Sequence, residues 1–461
     1  MADMAKRGRY EIDMTRGALL PKVLLFSLPL VLTGILQLLY NAADVIVVGR
    51  FAGTQSLAAV GSTGSLINLL TNLFMGLSVG VSVVIARSFG AGDLASVRRG
   101  VHTSITIAGI MGVGVGIFGF LLARPMLVLM SSPEDVIDLA ATYVRIYFLG
   151  MPFNMLYNFG AAVLRATGDT RRPLIYLSIS GLVNVALNLL LVIQFHMGVA
   201  GVAIATVISQ VISCVLVLLC MLRSDTAIRL IPSRLRIHWP ELKAILRLGL
   251  PAGLQGSLFS LSNVLIQSSI NSFGSLVVAG NSAACNVEGF VYTSMNSLYQ
   301  ADQTFCSQNV GAKQYSRVRK TLFTCTGVCV VIGLTMGLLF LLCGDTLLSL
   351  YNTDPDVIAF GLRRMRIILP TYFLCGMMDV IVGQLRGIGY SVMPMIVSLT
   401  GACLLRIVWI MTIFAADRTL ETLYISYPVS WLITWTVHLI CYLVVIRKLP
   451  RQDEPLPAVS E

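Results

Sequence analysis

The sequence contains few charged residues for its length. Asp, Glu, Lys and Arg together make up 12% of the 461 residues, against about 25% in a soluble domain. Hydrophobic residues account for 56%, so a soluble fold would have too little polar surface to stay dispersed in water. This composition excludes an ordinary soluble domain and predicts a protein that lies in a lipid bilayer.

Signals for catalysis, nucleotide hydrolysis and metal binding are also missing. The chain has no G-x-x-x-x-G-K-[ST] phosphate loop and no H-E-x-x-H motif, so nothing indicates ATP hydrolysis or a zinc enzyme. None of the ten cysteines forms a C-x-x-C pair, and all lie in or beside hydrophobic runs, as apolar core residues do. We expect no enzymatic activity, no cofactor and no bound metal.

One glycine motif has two interpretations. Gly114-x-Gly116-x-x-Gly119 matches a dinucleotide fingerprint, but it lies inside a hydrophobic run with no strand before it. Gly112-x-x-x-Gly116 predicts instead a place where two helices pack closely. We adopt the packing interpretation.

The chain repeats itself near its middle. Pro29 and Asn41 recur as Pro251 and Asn263 at a shift of 222 residues, and later blocks recur at a shift of 221. These later blocks pair Gly90-Ala91 with Gly311-Ala312, Leu164-Arg165 with Leu385-Arg386, and Pro173 with Pro394. Two homologous hydrophobic halves are the usual plan of a secondary transporter, whose substrate site lies between them near the middle of the bilayer.

The hydrophobic runs predict twelve membrane-spanning helices, six in each half. They cover residues 18–48, 55–86, 97–128, 135–164, 174–195, 199–222, 243–272, 278–308, 318–350, 356–385, 392–414 and 421–446. Because each half has an even number of spans, both halves start on the same side and the repeat is parallel. We predict an all-α membrane protein with two six-helix lobes, related by a pseudo-two-fold axis, around a central cavity.

The same runs predict the domain organisation. The parts are a cytoplasmic N-terminal segment at 1–17, an N-lobe at 18–222, a basic cytoplasmic linker at 223–242, a C-lobe at 243–446 and a cytoplasmic tail at 447–461. The polar, proline-containing end of that tail, from residue 450, is typical of disorder.

The placement of positive charge predicts the orientation. The net charge is +11, and 25 of the 33 Lys and Arg residues fall on the side of the predicted membrane that holds both termini. Cytoplasmic loops carry the excess of Lys and Arg, so both termini are expected in the cytoplasm of a multi-pass protein of the inner or plasma membrane. The charge is spread over loops and forms no basic domain, which argues against a nucleic-acid partner.

Asp44 is the most informative single residue, because a carboxylate deep in a span is costly and usually serves a function. Gln37, Tyr40, Asn41 and Asp44 fall at helical spacing and share one face of the first span. Such a polar stripe must face protein or a water-filled cavity. It is compatible with a coupling and substrate site, and also with a structural Asp that hydrogen-bonds neighbouring helices.

Other spans carry polar residues that fit either function or helix association. In the first half these are Asn154, Tyr157 and Asn158 in span 4, Asn184 and Asn188 in span 5, and Thr206 in span 6. In the second half they are Asn263 in span 7, Glu288, Tyr292, Asn296 and Asp302 in span 8, and Asp379 in span 10. We predict that Tyr157, Asn263, Glu288, Tyr292, Asn296 and Asp379 line the substrate cavity together with the span-1 stripe. Asp302 fits equally a structural partner for a basic loop residue.

Several blocks resemble the MATE (multidrug and toxic compound extrusion) transporters. The resemblance rests on NAADVIVVGRFAG at 41–53, LAAVG at 57–61, GAGDLASVRRG at 90–100, LRATGDTRRP at 164–173 and QNVGAKQYSRVRK at 308–320. It covers residues from about 15 to 446 and is closest in character to the bacterial, DinF-like members.

The resemblance implies a fold, a mechanism and site residues. It implies two six-helix lobes around a cavity, a hinge at Pro29, and proton coupling at Asp44. The associated polar network falls on Asn158, Asn184, Asn188 and Thr206. One departure stands out, because DinF-like members carry a second acid at the position of Asn188.

The leading hypothesis is therefore a secondary antiporter, coupled to H⁺ or to Na⁺, that exports small organic and often cationic compounds as a monomer. The alternative is a flippase for a lipid-linked saccharide. Such a flippase should hold several cations for a diphosphate group, and the sequence places only Arg406 deep in a span.

Overall fold

The computed structural model describes residues 10–129, 134, 136–450 and 452–455, and in this part of the chain the secondary structure is helical without β-strands. The helices are α1 (Leu19–Ala52), α2 (Thr54–Gly90), α3 (Leu94–Leu129), α4 (Ile137–Leu149), α5 (Met151–Ala166), α6 (Arg171–Gln194), α7 (Gly198–Leu222), α8 (Trp239–Asn271), α9 (Ser275–Gly311), α10 (Tyr315–Leu342), α11 (Gly344–Ser349), α12 (Pro355–Ile368), α13 (Phe373–Ile388), α14 (Val392–Phe414) and α15 (Leu420–Ile446). Four stretches within these helices are π-helical: Val48–Ala52, Leu189–Gln194, Leu399–Leu404 and Ile410–Phe414.

Many of these helices can cross a bilayer. Within the described residues, eight are long and apolar enough, and the segments on either side of Tyr372, in α12 and α13, count as a ninth if they cross together as one span bent by 47°. Helices satisfy their own backbone hydrogen bonds, which lipid cannot do. The predicted all-α membrane class is confirmed.

Three of the expected spans are interrupted, which the hydrophobic pattern did not predict. The run at 318–350 divides at Cys343 into α10 and α11. The run at 135–164 divides at Gly150 into α4 and α5, and Pro152 stands at the start of α5. The run at 356–385 divides at a short 3₁₀ turn, Leu369–Thr371, which contains a proline. Proline has no backbone N–H to donate and its ring obstructs the preceding turn, so a helix commonly breaks before it.

The first of two compact units consists of Met1–Ile12 and Leu32–Gly253. Glycines allow its helices to approach closely: a Cβ at Gly112 would lie 2.6 Å from Pro152 Cα, and one at Gly116 would lie 2.9 Å from the carbonyl oxygen of Phe148. No atom lies within 4 Å of the corresponding position at Gly114. The packing interpretation of this glycine motif is confirmed.

The second unit consists of Asp13–Val31 and Leu254–Glu461. The N-terminal segment of this unit, Asp13–Val31, is held within it, since the Met14 carbonyl accepts hydrogen bonds from Asn309 Nδ2 at 3.2 Å and Arg317 Nε at 2.8 Å. The Phe26 ring meets the Phe305 ring edge-on, with centroids 5.7 Å apart.

Both α1 and α8 contribute to both units. Each changes unit two residues after an internal proline, Pro29 in α1 and Pro251 in α8. A proline inside a helix leaves one carbonyl without its usual partner and favours a bend there. The lobe boundaries and the hinge stay predictions.

The segment expected to be a linker, 223–242, is mostly irregular up to its last residues. It contains the 3₁₀ turn Pro232–Arg234, and α8 already begins at Trp239. Side chains of α3 hold it in place, because the Ile231 N–H donates to His102 Nε2 at 3.2 Å and Arg99 forms an ion pair with Glu241.

Part of the tail is bound to the protein, so the expectation of disorder is wrong for residues 452–455. Asp453 accepts a 2.8 Å hydrogen bond from the Ser316 N–H, and Glu454 pairs with Lys313 Nζ at 2.9 Å. Ser316 lies in the first turn of α10, where unpaired N–H groups and the helix dipole attract a carboxylate.

Candidate functional site

Asp44 lies at one end of a short polar chain in the first unit. Asn188 Nδ2 donates a hydrogen bond to Asp44 Oδ1 and another, of 3.2 Å, to Asn184 Oδ1. Both asparagines are buried. The chain Asp44–Asn188–Asn184 joins α1 to α6 and contains three of the five predicted coupling residues.

Helix packing and helix geometry position Asp44 and Asn188. One turn before Asp44, the Tyr40 ring packs so closely on α6 that a Cβ at Gly181 would lie 1.9 Å from it. Beyond the pair, α1 becomes π-helical at Val48 and α6 at Leu189. Such π-helical stretches often mark functional sites, because they change the register of the side chains that follow.

Two tyrosines that the sequence analysis did not single out lie near Asp44. Tyr143 and Tyr147 on α4 are within electrostatic reach of its carboxyl group. Their rings stack on each other with centroids 6.2 Å apart, and the side chain of Gln210 on α7 lies near the Tyr147 hydroxyl. In the sequence, the four-residue spacing of these tyrosines indicates that they share one helix face. Tyrosine is also common in apolar cores, so this spacing did not mark them as site residues.

The other predicted coupling residues bond locally. Asn158 Nδ2 donates to the backbone and the side-chain oxygen of Asn154, both at 2.8 Å. Thr206 Oγ1 donates to the Val202 carbonyl at 3.0 Å. In the described part of the chain neither side chain has a hydrogen bond to Asp44. Of the five predicted coupling residues, three are therefore connected by hydrogen bonds.

The predicted cavity residues of the first unit divide into two kinds. Gln37 and Asn41 are exposed on α1. Tyr40 donates to the Ser178 carbonyl at 3.4 Å, and Tyr157 is buried and donates to the Pro173 carbonyl at 3.2 Å. The tyrosines therefore tie helices together, whereas the two amides are accessible.

Glu288 is enclosed in a buried ion pair. Arg364 of α12 donates to it through Nε at 2.9 Å and Nη2 at 2.8 Å, and through Nη1 to Asn281 Oδ1 at 3.0 Å. The side chains of Arg364 and Glu288 are only 6% and 4% exposed. The view that Arg406 is the only deeply placed arginine was wrong, because Arg364 lies near the start of its span and looked like a loop residue.

Asp379 belongs to a second polar group in this unit. Its carboxyl group lies beside the Tyr292 hydroxyl, and Arg386 supplies positive charge nearby. Arg386 itself donates to Tyr299 Oη at 2.7 Å and to Gln255 Oε1 at 2.8 Å. The structure thus brings Tyr292 and Asp379 together, and their role in a substrate site stays a prediction.

The remaining predicted residues of the second unit form no hydrogen bond with this group among the described residues. Asn263 is exposed on α8, and Asn296 accepts a 3.3 Å hydrogen bond from Gln300. Asp302 is fully buried beside the Cys325 thiol. No Lys or Arg of the described segments forms an ion pair with Asp302, so the interpretation as a partner for a basic loop residue finds no support.

The described residues show no arrangement suited to metal binding. Among the described residues, no group of three or more His, Cys, Asp or Glu side chains is placed to hold a metal ion. None of the ten cysteines forms a disulfide bond.

Comparison with known proteins identifies what the chain is similar to. The family model MatE matches it twice, over residues 29–190 and 251–412, so the two matches start at the repeated prolines. The chain is 31% identical over 386 residues to the probable multidrug resistance protein YoeA of Bacillus subtilis, covering 81% of this chain and 82% of the relative. It is 29% identical over 394 residues to the probable multidrug resistance protein YpnP of the same species, covering 86% and 88%.

The fold also has solved counterparts. A structure described as the outward-facing conformation of a multidrug resistance MATE family transporter of the MOP superfamily matches with a TM-score of 0.90. The match covers 96% of this chain and 99% of that one at 22% identity. The two-lobe, twelve-helix fold predicted from the repeat is confirmed.

Proposed function

Since the chain belongs to the MatE family of membrane transporters, we propose that it is a cation-coupled antiporter that exports small organic, often cationic, compounds by alternating access. The family and the relatives named as multidrug resistance proteins support export of small organic molecules across a membrane. We propose proton coupling, with Na⁺ as the other candidate ion, and a relationship to the DinF-like members.

The observation that carries this proposal is the hydrogen bond between Asn188 and Asp44. A carboxylate inside a span can bind either a proton or an organic cation, and binding one disfavours the other. The Asn188 amide donates to the charged form of Asp44 and so holds it in place while it is ready for a cation. Protonation from outside would remove the charge, weaken that bond and release the substrate.

The Asn188 side chain can also form a hydrogen bond with the protonated, neutral form of Asp44. Its Oδ1 is buried and accepts no hydrogen bond from the described residues. Rotation of the amide by half a turn would present this acceptor to a protonated carboxyl, which carries a donor. We propose that this rotation accompanies proton uptake, and that the tyrosines Tyr143 and Tyr147 help to exclude water from the pair.

A single coupling acid limits the driving force. One proton exchanged for one monovalent cation moves no net charge, so each unit of pH difference supplies about 1.4 kcal/mol. A second proton would add about 2.3 kcal/mol per 100 mV of membrane potential. We propose the electroneutral exchange, because an amide stands where DinF-like members carry their second acid.

The second unit supplies a separate candidate substrate contact. Asp379 and Tyr292 offer a carboxylate beside an aromatic ring, which suits an organic cation. Glu288 is assigned a structural role, because both its oxygens are engaged by Arg364. No observation in either unit specifically favours the flippase alternative.

We further propose an inner or plasma membrane location with both termini in the cytoplasm, on the strength of the Lys and Arg distribution. The transporter is proposed to act as a monomer that requires neither cofactor nor nucleic acid.

The test is uptake of tetraphenylphosphonium, a permanent cation, into inverted membrane vesicles under separately imposed pH and Na⁺ gradients. We expect uptake when the vesicle interior is acidic, and no uptake with a Na⁺ gradient alone. Asp345→Asn, which removes an exposed carboxylate on α11, is the matched control for Asp44→Asn. Uptake that follows only the Na⁺ gradient would overturn proton coupling.

A further inference from the structure

Arg406 of α14 is a buried cation with little protein around it to balance its charge. It is 4% exposed. Its Nε donates to Ser430 Oγ at 2.8 Å, and the Ser430 hydroxyl donates in turn to the Tyr427 carbonyl, also at 2.8 Å. A serine hydroxyl contributes no negative charge, so this bond orients the guanidinium without neutralising it.

The nearby carboxylates are already committed to other cations. Glu288 is paired through both oxygens with Arg364, and Asp379 lies beside Tyr292 in the field of Arg386. Among the described residues no Asp or Glu forms an ion pair with Arg406. The positive charge of Arg406 is therefore not balanced by an ion pair within the described part of the protein.

The terminal nitrogens of Arg406 are unused as donors. Its hydrogen bond to Ser430 involves Nε, and neither Nη1 nor Nη2 bonds to a described residue. Neither is fully enclosed by protein, since neither is among the buried unpaired polar atoms. Both nitrogens therefore keep some accessible surface, and the edge of the guanidinium that carries them has two parallel N–H donors, which match a carboxylate or a phosphate.

Aromatic rings surround the same guanidinium. Its central carbon lies 4.4 Å from the centroid of the Tyr427 ring and 5.7 Å from that of Trp431. The row of rings extends further from Trp431. The Trp431 and Tyr372 ring centroids are 5.3 Å apart, and the Tyr372 and Tyr292 ring centroids are 6.4 Å apart. These rings stabilise a buried cation in part, and they offer faces and edges against which a flat aromatic ligand packs well.

We propose that Arg406, Tyr427 and Trp431 form a subsite for the acidic group of planar aromatic substrates, that is, aromatic compounds carrying a carboxylate or a phosphate. This inference rests on the proposed export function and extends its substrate class from organic cations to aromatic acids and zwitterions. Arg406 binds the anion through Nη1 and Nη2, and the aromatic row binds the ring system. A zwitterion of sufficient length reaches the Asp379 end of the row with its cationic group.

The test uses two ligands that share one flat ring system and differ in charge, acridine-9-carboxylate and 9-aminoacridine. Their binding to the purified full-length protein in lipid nanodiscs is followed by fluorescence titration near neutral pH, where the first is an anion and the second a cation. We expect Arg406→Gln to raise the Kd of acridine-9-carboxylate at least about tenfold, which corresponds to about 1.4 kcal/mol. The same variant should leave the Kd of 9-aminoacridine equal or lower, because a repelling charge is gone.

Matched variants separate a specific subsite from general damage. Arg366→Gln removes an exposed arginine of α12 and should change neither Kd. Arg406→Lys keeps the charge but loses the paired donors, so it should bind the acid with intermediate affinity, and it carries the test if Arg406→Gln does not fold. Adamantane-1-carboxylate, which lacks an aromatic ring, should bind more weakly than the acridine acid.

Three results would overturn the subsite. They are an unchanged Kd for the acridine acid in Arg406→Gln, an equal loss of both acridines, and an adamantane acid that binds as tightly as the aromatic one. Failure of the antiport function is seen separately. It would appear as absent tetraphenylphosphonium uptake while the Arg406-dependent binding of the acid persists.

Discussion

Glu288 offers a direct way to separate a structural carboxylate from a functional one. The variant Glu288→Gln leaves the Arg364 guanidinium buried without its bidentate partner. The pair makes two charge-assisted hydrogen bonds of 2.9 and 2.8 Å at side chains that are 6% and 4% exposed. Removing one member of such a buried pair typically costs about 3–5 kcal/mol, because the remaining charge is uncompensated.

That loss should be visible as a lower melting temperature. A unit of 150–250 residues loses about 2–4 °C per kcal/mol, so we expect Glu288→Gln to melt roughly 6–20 °C below the wild type. The measurement is intrinsic tryptophan fluorescence during heating of the purified protein in detergent or nanodiscs. Glu421→Gln is the matched control, because its ion pair with Arg363 is exposed and should contribute about 1 kcal/mol or less.

The double variant Glu288→Gln, Arg364→Gln completes the design. Once the unpaired charge is also removed, we expect much of the lost stability to return, with a coupling free energy of about 2 kcal/mol or more. Strictly additive losses in the two single variants would refute the reasoning. So would a Glu288→Gln protein that melts like the wild type but no longer transports, since Glu288 would then be a substrate contact, as the sequence suggested.

Three further predictions follow from close packing and from the coupling site. Gly112→Ala should destabilise the first unit by about 1–3 kcal/mol through overpacking, whereas Gly114→Ala, where space is open, should be neutral or slightly stabilising in the same melting assay. Gly181→Ala should displace the Tyr40 ring and lower the rate of tetraphenylphosphonium uptake while the protein remains folded; an unchanged rate would argue against tight α1–α6 positioning of the site. Asn188→Asp should restore a two-acid site and make uptake sensitive to an imposed membrane potential, which the wild type should not be.

The hydrophobic pattern and the internal repeat were sufficient to predict the class of fold. The positions of the spans follow from the length of apolar sequence that a bilayer requires, and the parallel repeat follows from the shift between Pro29 and Pro251. The breaks at Gly150 and Tyr372 did not follow, because each lies within a run that is apolar on both sides. Hydrophobicity reports burial in lipid and carries little information about where a helix bends.

The coupling site was partly predictable. Asp44 is costly in lipid wherever its helix points, so the sequence alone singled it out. Asn158 and Thr206 were assigned by resemblance, but a Thr hydroxyl in a helix readily bonds the carbonyl four residues earlier, and an Asn bonds just as readily to a neighbour one turn away. Their local partners in the structure reflect that competition.

The chemistry of the second unit depends on pairs that are distant in sequence. Glu288 and Arg364 are 76 residues apart, and Arg406 and Ser430 are 24 apart. Polarity alone indicated that each residue needed a partner but could not say which one. The lack of an ion-pair partner for Arg406 among the described residues is visible only when the other pairings are known.

The central claim is that Asp44 exchanges a proton for an organic cation. The most direct measurement is proton release from the purified, weakly buffered protein when tetraphenylphosphonium is added, followed with a pH-sensitive dye. We expect about one proton per bound cation in the wild type and in Asp345→Asn, and none in Asp44→Asn. Cation binding without proton release in the wild type, or undiminished release by Asp44→Asn, would contradict the claim.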